Sequence, residues 1–66
     1  MILSDFTTME LNYFKEQCNF VGDESYVFEL RSHGISLGQI ADFLGISIDR
    51  TKKLSQSVNR KIKRVL

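Results

Sequence analysis

The chain contains no proline, no low-complexity stretch and no internal repeat. Nothing in it marks a linker between separately folding parts, and a single domain over residues 1–66 is expected. It has one cysteine, Cys18, which excludes an internal disulfide; on a helix it is expected to pack in the core. The one histidine, His33, has no partners for a metal site and is read as structural at a helix C-terminus. No run approaches the roughly 20 apolar residues of a membrane span. The opening MILSDFT lacks the basic and apolar regions of a signal peptide. A cytoplasmic protein with no membrane partner is expected.

Catalytic groupings are equally scarce. Asp23 and Glu24 read as helix-start residues, and Asp5, Glu10, Glu16 and Glu29 as solvated ones. Gly34 and Gly38 lack the strand-to-helix setting of a phosphate-binding loop and read as helix punctuation. The expectation is a non-enzyme with no cofactor and no metal.

What is present is a charge asymmetry hidden by a net charge of +1. Residues 1–33 hold two Lys/Arg against six Asp/Glu, net −4, and residues 34–66 hold seven against two, net +5. All seven cations of the second half follow Ile48: Arg50, Lys52, Lys53, Arg60, Lys61, Lys63 and Arg64. At about 100° per residue, Thr51, Leu54, Val58, Ile62 and Val65 form one apolar stripe, with Lys52, Lys53, Gln56, Arg60, Lys63 and Arg64 opposite. No acidic residue is expected in register to pair with these cations along the helix. Such a basic face is the electrostatic footprint of a phosphate-binding surface.

The segment Leu37 to Gln56, LGQIADFLGISIDRTKKLSQ, has the spacing of a DNA-binding helix-turn-helix. Ile40 supplies the apolar fourth position, Ala41 the small fifth that lets two helices approach, and Gly45 the ninth, which enters the turn. Ile46, Thr51 and Leu54 fill the apolar tenth, fifteenth and eighteenth; Thr51 departs by carrying a hydroxyl. Ser36 with Gln39 forms a capping box ahead of the first helix, Gly45 suits a left-handed helix end, and Ser47 caps the second helix with Ile46 stapled toward Thr51.

Earlier in the chain, Thr7 with Glu10 forms another capping box, with Phe6 and Leu11 as a hydrophobic staple. The helix that follows buries Leu11, Phe14 and Cys18, with Tyr13 at its margin. A turn over Asn19 to Gly22 leads to a helix capped by Asp23 and ended by Gly34, with Val27 and Leu30 facing one way and Phe28 another. It is expected to pack between the first helix and the helix-turn-helix. The expected fold is all-α: a four-helix domain, near 8–18, 24–33, 37–44 and 48–65, containing a helix-turn-helix with a long basic C-terminal recognition helix. At 66 residues such a chain buries about 60% of the surface its unfolded form exposes.

From Ser25 to Leu66, SYVFELRSHGISLGQIADFLGIS followed by IDRTKKLSQSVNRKIKRVL resembles region 4 of sigma-70 factors. The most telling part is Ser47 to Lys63, ending in the Arg60, Lys61, Ile62, Lys63 cluster. Similar four-helix modules end the LuxR-type response regulators. The resemblance implies a helix that reads the minus-35 promoter element and contact with RNA polymerase. Ile48, Asp49, Lys52 and Lys53 occupy the family's base- and phosphate-contacting positions, Ile48 standing where arginine is common. Nothing corresponds to the promoter-melting region, so the chain is more similar to the small stand-alone region-4-like proteins of phages and mobile elements of Gram-positive bacteria.

Two functions follow as expectations. One is a DNA-binding transcriptional regulator that contacts double-stranded DNA through Ser47, Ile48, Asp49, Lys52, Lys53, Gln56, Arg60, Lys63 and Arg64. The other is a protein-interaction module that docks on RNA polymerase or a sigma factor through its acidic first half. A homodimer formed through the apolar end at Val65 and Leu66 is a further candidate assembly.

Overall fold

The computed structural model describes residues 2–66, in which four α-helices follow one short 3-10 turn and no strand occurs. The helices are α1 (Thr8–Gln17), α2 (Glu24–Ser32), α3 (Leu37–Leu44) and α4 (Ile48–Val65). Their starts follow from local chemistry. Both capping boxes form: Thr7 Oγ1 accepts from the Glu10 amide at 3.2 Å while Glu10 accepts from the Thr7 amide at 2.9 Å. Ser36 and Gln39 repeat the exchange. Ser47 Oγ accepts from the Arg50 amide at 3.1 Å.

Two helix ends are closed by glycine. Gly45 has φ +68°, its amide donates to Asp42, and the Ile46 amide reaches back to Ala41 at 3.1 Å. Gly34, at φ +78°, ends α2 in the same way, with the Ile35 amide donating to Leu30. Both ends are the paired-bond termination that a left-handed residue permits. At the end of α2, His33 Nδ1 donates to the Glu29 carbonyl at 2.9 Å, and the Arg31 guanidinium donates to the Ile35 carbonyl at 2.9 Å, joining the helix to the α2–α3 loop.

One core joins these elements. Leu3, Phe14, Cys18, Val27, Phe28, Ile40, Val58 and Ile62 are buried in it, with Phe6, Leu11, Phe20, Leu30 and Leu54 packed around them. Phe6 meets Phe14 edge-on at a centroid distance of 5.1 Å, and Phe20 lies 4.8 Å from Phe28. Helix α4 is the common support, packing against α1, α2 and α3. Its 18 residues span about 27 Å at 1.5 Å per residue, nearly the 29 Å length of the molecule.

Three expectations need correction. Asp23 precedes α2 but makes no side-chain cap, its backbone already being helical at φ −70°, ψ −10°. The Glu24 carboxylate instead reaches back to the loop, accepting from the Val21 amide at 2.9 Å. Glu24 opens α2 as expected and is buried, whereas Glu29, read as solvated, is half-buried and forms an ion pair with Lys15. Helix α2 packs chiefly on α4 and on the N-terminal 3-10 turn, where buried Leu3 closes the core. Val27 and Phe28, expected to face different ways, are both buried, which agrees with a helix covered on more than one side.

Candidate nucleic-acid interface

Helix α4 divides the work between two faces. Thr51, Val58 and Ile62 are buried on one, with Leu54 and Val65 half-buried beside them. The hydroxyl of Thr51, at a position where an apolar residue is expected, donates to the Ser47 carbonyl at 2.9 Å, which satisfies it without a distant partner. Val58 and Ile62, further along, are buried in the core, so the opposite side of the helix faces outward.

On that opposite side Lys52, Lys53, Gln56, Arg60, Lys63 and Arg64 are all exposed. From Lys52 to Arg64 the row runs about 18 Å, twelve residues at 1.5 Å each. None of its five cations pairs with a carboxylate among the described residues. Asp49 does lie in register, three and four residues before Lys52 and Lys53, contrary to the expectation that no acid would. Even so, no ion pair forms there among the described residues. Ile48 and Asp49 are exposed in the first turn of α4, and Ser47 is engaged as its cap. The nine expected site residues therefore lie on one element, eight exposed on α4 and the ninth at its start.

Lys61 belongs to a different network. It lies about 60° from the centre of the apolar stripe, turned toward α2. Its Nζ donates to Glu24 Oε1 at 2.6 Å and to the Asn19 carbonyl at 2.6 Å. Ser57 donates its hydroxyl to the second oxygen of Glu24. Glu24 is only 6% exposed. Burial alone raises its pKa, but the bonds from Lys61, Ser57 and the Val21 amide outweigh it and hold the carboxyl at about 2. Among the described residues no buried side-chain nitrogen or oxygen lacks a partner. One of the seven cations thus holds α4 to α2. Its partner sits 37 residues away in sequence, outside the reach of any pattern along one helix.

The remaining chemistry is sparse. Burial pushes the Cys18 thiol up, against the opposing charge of Lys61, so its thiolate is disfavoured. No three His, Cys, Asp or Glu side chains gather into a metal-binding group among the described residues. No helix among them is long and apolar enough to cross a membrane. At the far end of α4, Val65 and Leu66 border a shallow apolar groove of about 380 Å³ with Met9, Tyr13 and Phe14 of α1. No protein-family model, curated protein or solved structure matches this chain.

Proposed function

We propose that the chain is a DNA-binding protein of the helix-turn-helix class, with α3 as the supporting helix and α4 as the recognition helix. More particularly, we read it as a transcriptional regulator similar to region 4 of sigma-70 factors, with α4 from Ile48 in the major groove. The observation that carries this reading is the row of five exposed cations with which no carboxylate forms an ion pair among the described residues. Arg60, Lys63 and Arg64 fall at spacings of three and four, where like charges repel by a few tenths of a kcal/mol per pair. Folding gains nothing from that arrangement. A polyanion does, because each phosphate neutralised releases condensed counterions.

The dimensions agree. An α-helix with its side chains is about 10–12 Å across, and the major groove of B-DNA is about 12 Å wide. In this reading Lys52, Lys53 and Gln56, in the first turns of α4, reach base edges or adjacent phosphates, and Arg60, Lys63 and Arg64 hold the backbone. Binding titrations on randomised duplexes test it. Lys52→Ala, Lys53→Ala and Gln56→Ala are expected to lose roughly 1–3 kcal/mol of discrimination per good contact. Binding that enriches no sequence and is indifferent to Lys52→Ala and Lys53→Ala contradicts promoter reading.

The apolar groove at the end of α4 favours a second reading, a module that docks on RNA polymerase or a sigma factor without sequence-specific DNA binding. Leu66 and Met9 stand 71% and 83% exposed there. A homodimer would use the same end. Retention of RNA polymerase by the wild-type chain and its loss in Leu66→Asp would favour docking, and concentration-dependent sedimentation abolished by the same change would favour the dimer.

A further inference from the structure

Among the exposed cations and polar groups of α4, Ile48 is the exception. It is the first residue of the helix, stands 41% exposed and takes no part in the core. A lone exposed aliphatic residue is ordinary on a protein surface. Its row is not. Residues Ile48, Lys52 and Gln56 follow one another at spacings of four, a single ridge along the helix. The cap at Ser47 fixes the backbone on one side, through its 3.1 Å bond from the Arg50 amide. Thr51, fully buried three residues on, fixes it on the other. The side chain of Ile48 is thus presented at a defined place, ahead of two side chains that donate hydrogen bonds.

The major-groove edge of DNA offers one apolar group, the C5 methyl of thymine. The donors and acceptors around it are groups that an isoleucine cannot partner and would desolvate, and the C5–H of cytosine offers less apolar surface than the methyl. Resting on the DNA-binding reading above, we infer that Ile48 is a specificity-determining residue that selects thymine by packing against its methyl group. It adds no charge, so its contribution is to discrimination and not to the salt-dependent part of affinity.

The test uses one duplex selected by the wild-type chain from a random library, with each thymine replaced in turn by uracil, which removes only the methyl. The wild type is expected to bind about fourfold more weakly when one particular thymine is replaced, the effect of burying a single methyl-sized group. Ile48→Ala is expected to bind the thymine and uracil forms of that position equally, with its salt dependence unchanged. Ile48→Val, which keeps a branched aliphatic side chain, should retain the preference. Salt-dependent duplex binding with no sensitivity to uracil at any position would overturn the role of Ile48 while leaving the DNA-binding reading intact. An absence of duplex binding at low salt would overturn that reading itself, and this inference with it.

Discussion

Replacing Lys61 with methionine removes one ammonium and keeps most of the apolar stem. In the native protein that ammonium donates to Glu24 at 2.6 Å and to the Asn19 carbonyl at 2.6 Å. Without it, Glu24, 6% exposed, keeps only the Ser57 hydroxyl and the Val21 amide. Burial opposes and the contacts favour the ionised carboxyl, and the net holds it at about 2 against an ordinary value of 4.5, a balance of about 3 kcal/mol in favour of the ionised form at 1.36 kcal/mol per pKa unit. Breaking a fully buried pair costs about 3–5 kcal/mol, but the Lys61 side chain is 25% exposed, so about 2 kcal/mol is the expected loss for Lys61→Met. For a domain of this size that lowers Tm by roughly 8–16 °C. The pH dependence supplies a second reading of the same contact. Because the folded pKa of Glu24 is depressed, its stabilisation is complete above about pH 4.5 and disappears as pH falls toward about 2. In Lys61→Met the folded pKa of Glu24 rises toward its ordinary value, so the acid loss should be smaller and should be complete at higher pH. Urea unfolding of both proteins from pH 2 to pH 7 measures both effects. A change below about 0.5 kcal/mol at pH 7, well under the 2 kcal/mol worked from the pair, with an unaltered acid profile would refute this account of the α2–α4 contact.

Other perturbations follow from single features. Gly45 has φ +68° and nothing within 4 Å of where a Cβ would sit, so Gly45→Val should cost about 1–2 kcal/mol through backbone strain alone, read as a fall in urea midpoint. Ser47→Ala removes the cap of α4 and should cost about 1 kcal/mol, which calorimetry should show as a lower Tm. Ile62 is fully buried, and Ile62→Ala should lose about 2–5 kcal/mol, enough to populate unfolded chain by circular dichroism at room temperature.

Much of this architecture was legible in the sequence because its signals are local. The capping boxes at Thr7 and Ser36, the cap at Ser47 and the glycines at 34 and 45 each act within a few residues, and all four helices fall within one residue of the expected bounds. Leu3 gave no such signal, since its 3-10 turn is too short to show a period. Asp23 misled because it is a strong capping residue beside a glutamate whose partners are remote. Lys61 shows the same limit. Its angular position sets it apart from the basic face, but only the fold brings Glu24, Ser57 and Asn19 to it. The candidate site was legible as a face, because a helix converts spacing into direction. What it binds was not, since exposure and unpaired charge describe a surface and leave its ligand to be measured.

The most direct measurement is the slope of log affinity against log salt concentration for duplex DNA, compared across two sets of cations. If α4 neutralises on the order of 3–5 phosphates, the wild-type slope is about −3 to −4. Arg60→Ala, Lys63→Ala and Arg64→Ala should each flatten it by about 1 and weaken all sequences alike. Lys61→Met, measured where that variant is folded, should leave the slope as it is, because its charge belongs to the α2–α4 contact. A slope that none of the three exposed cations alters, or one that Lys61 alone controls, would contradict the assignment of this face of α4 to DNA.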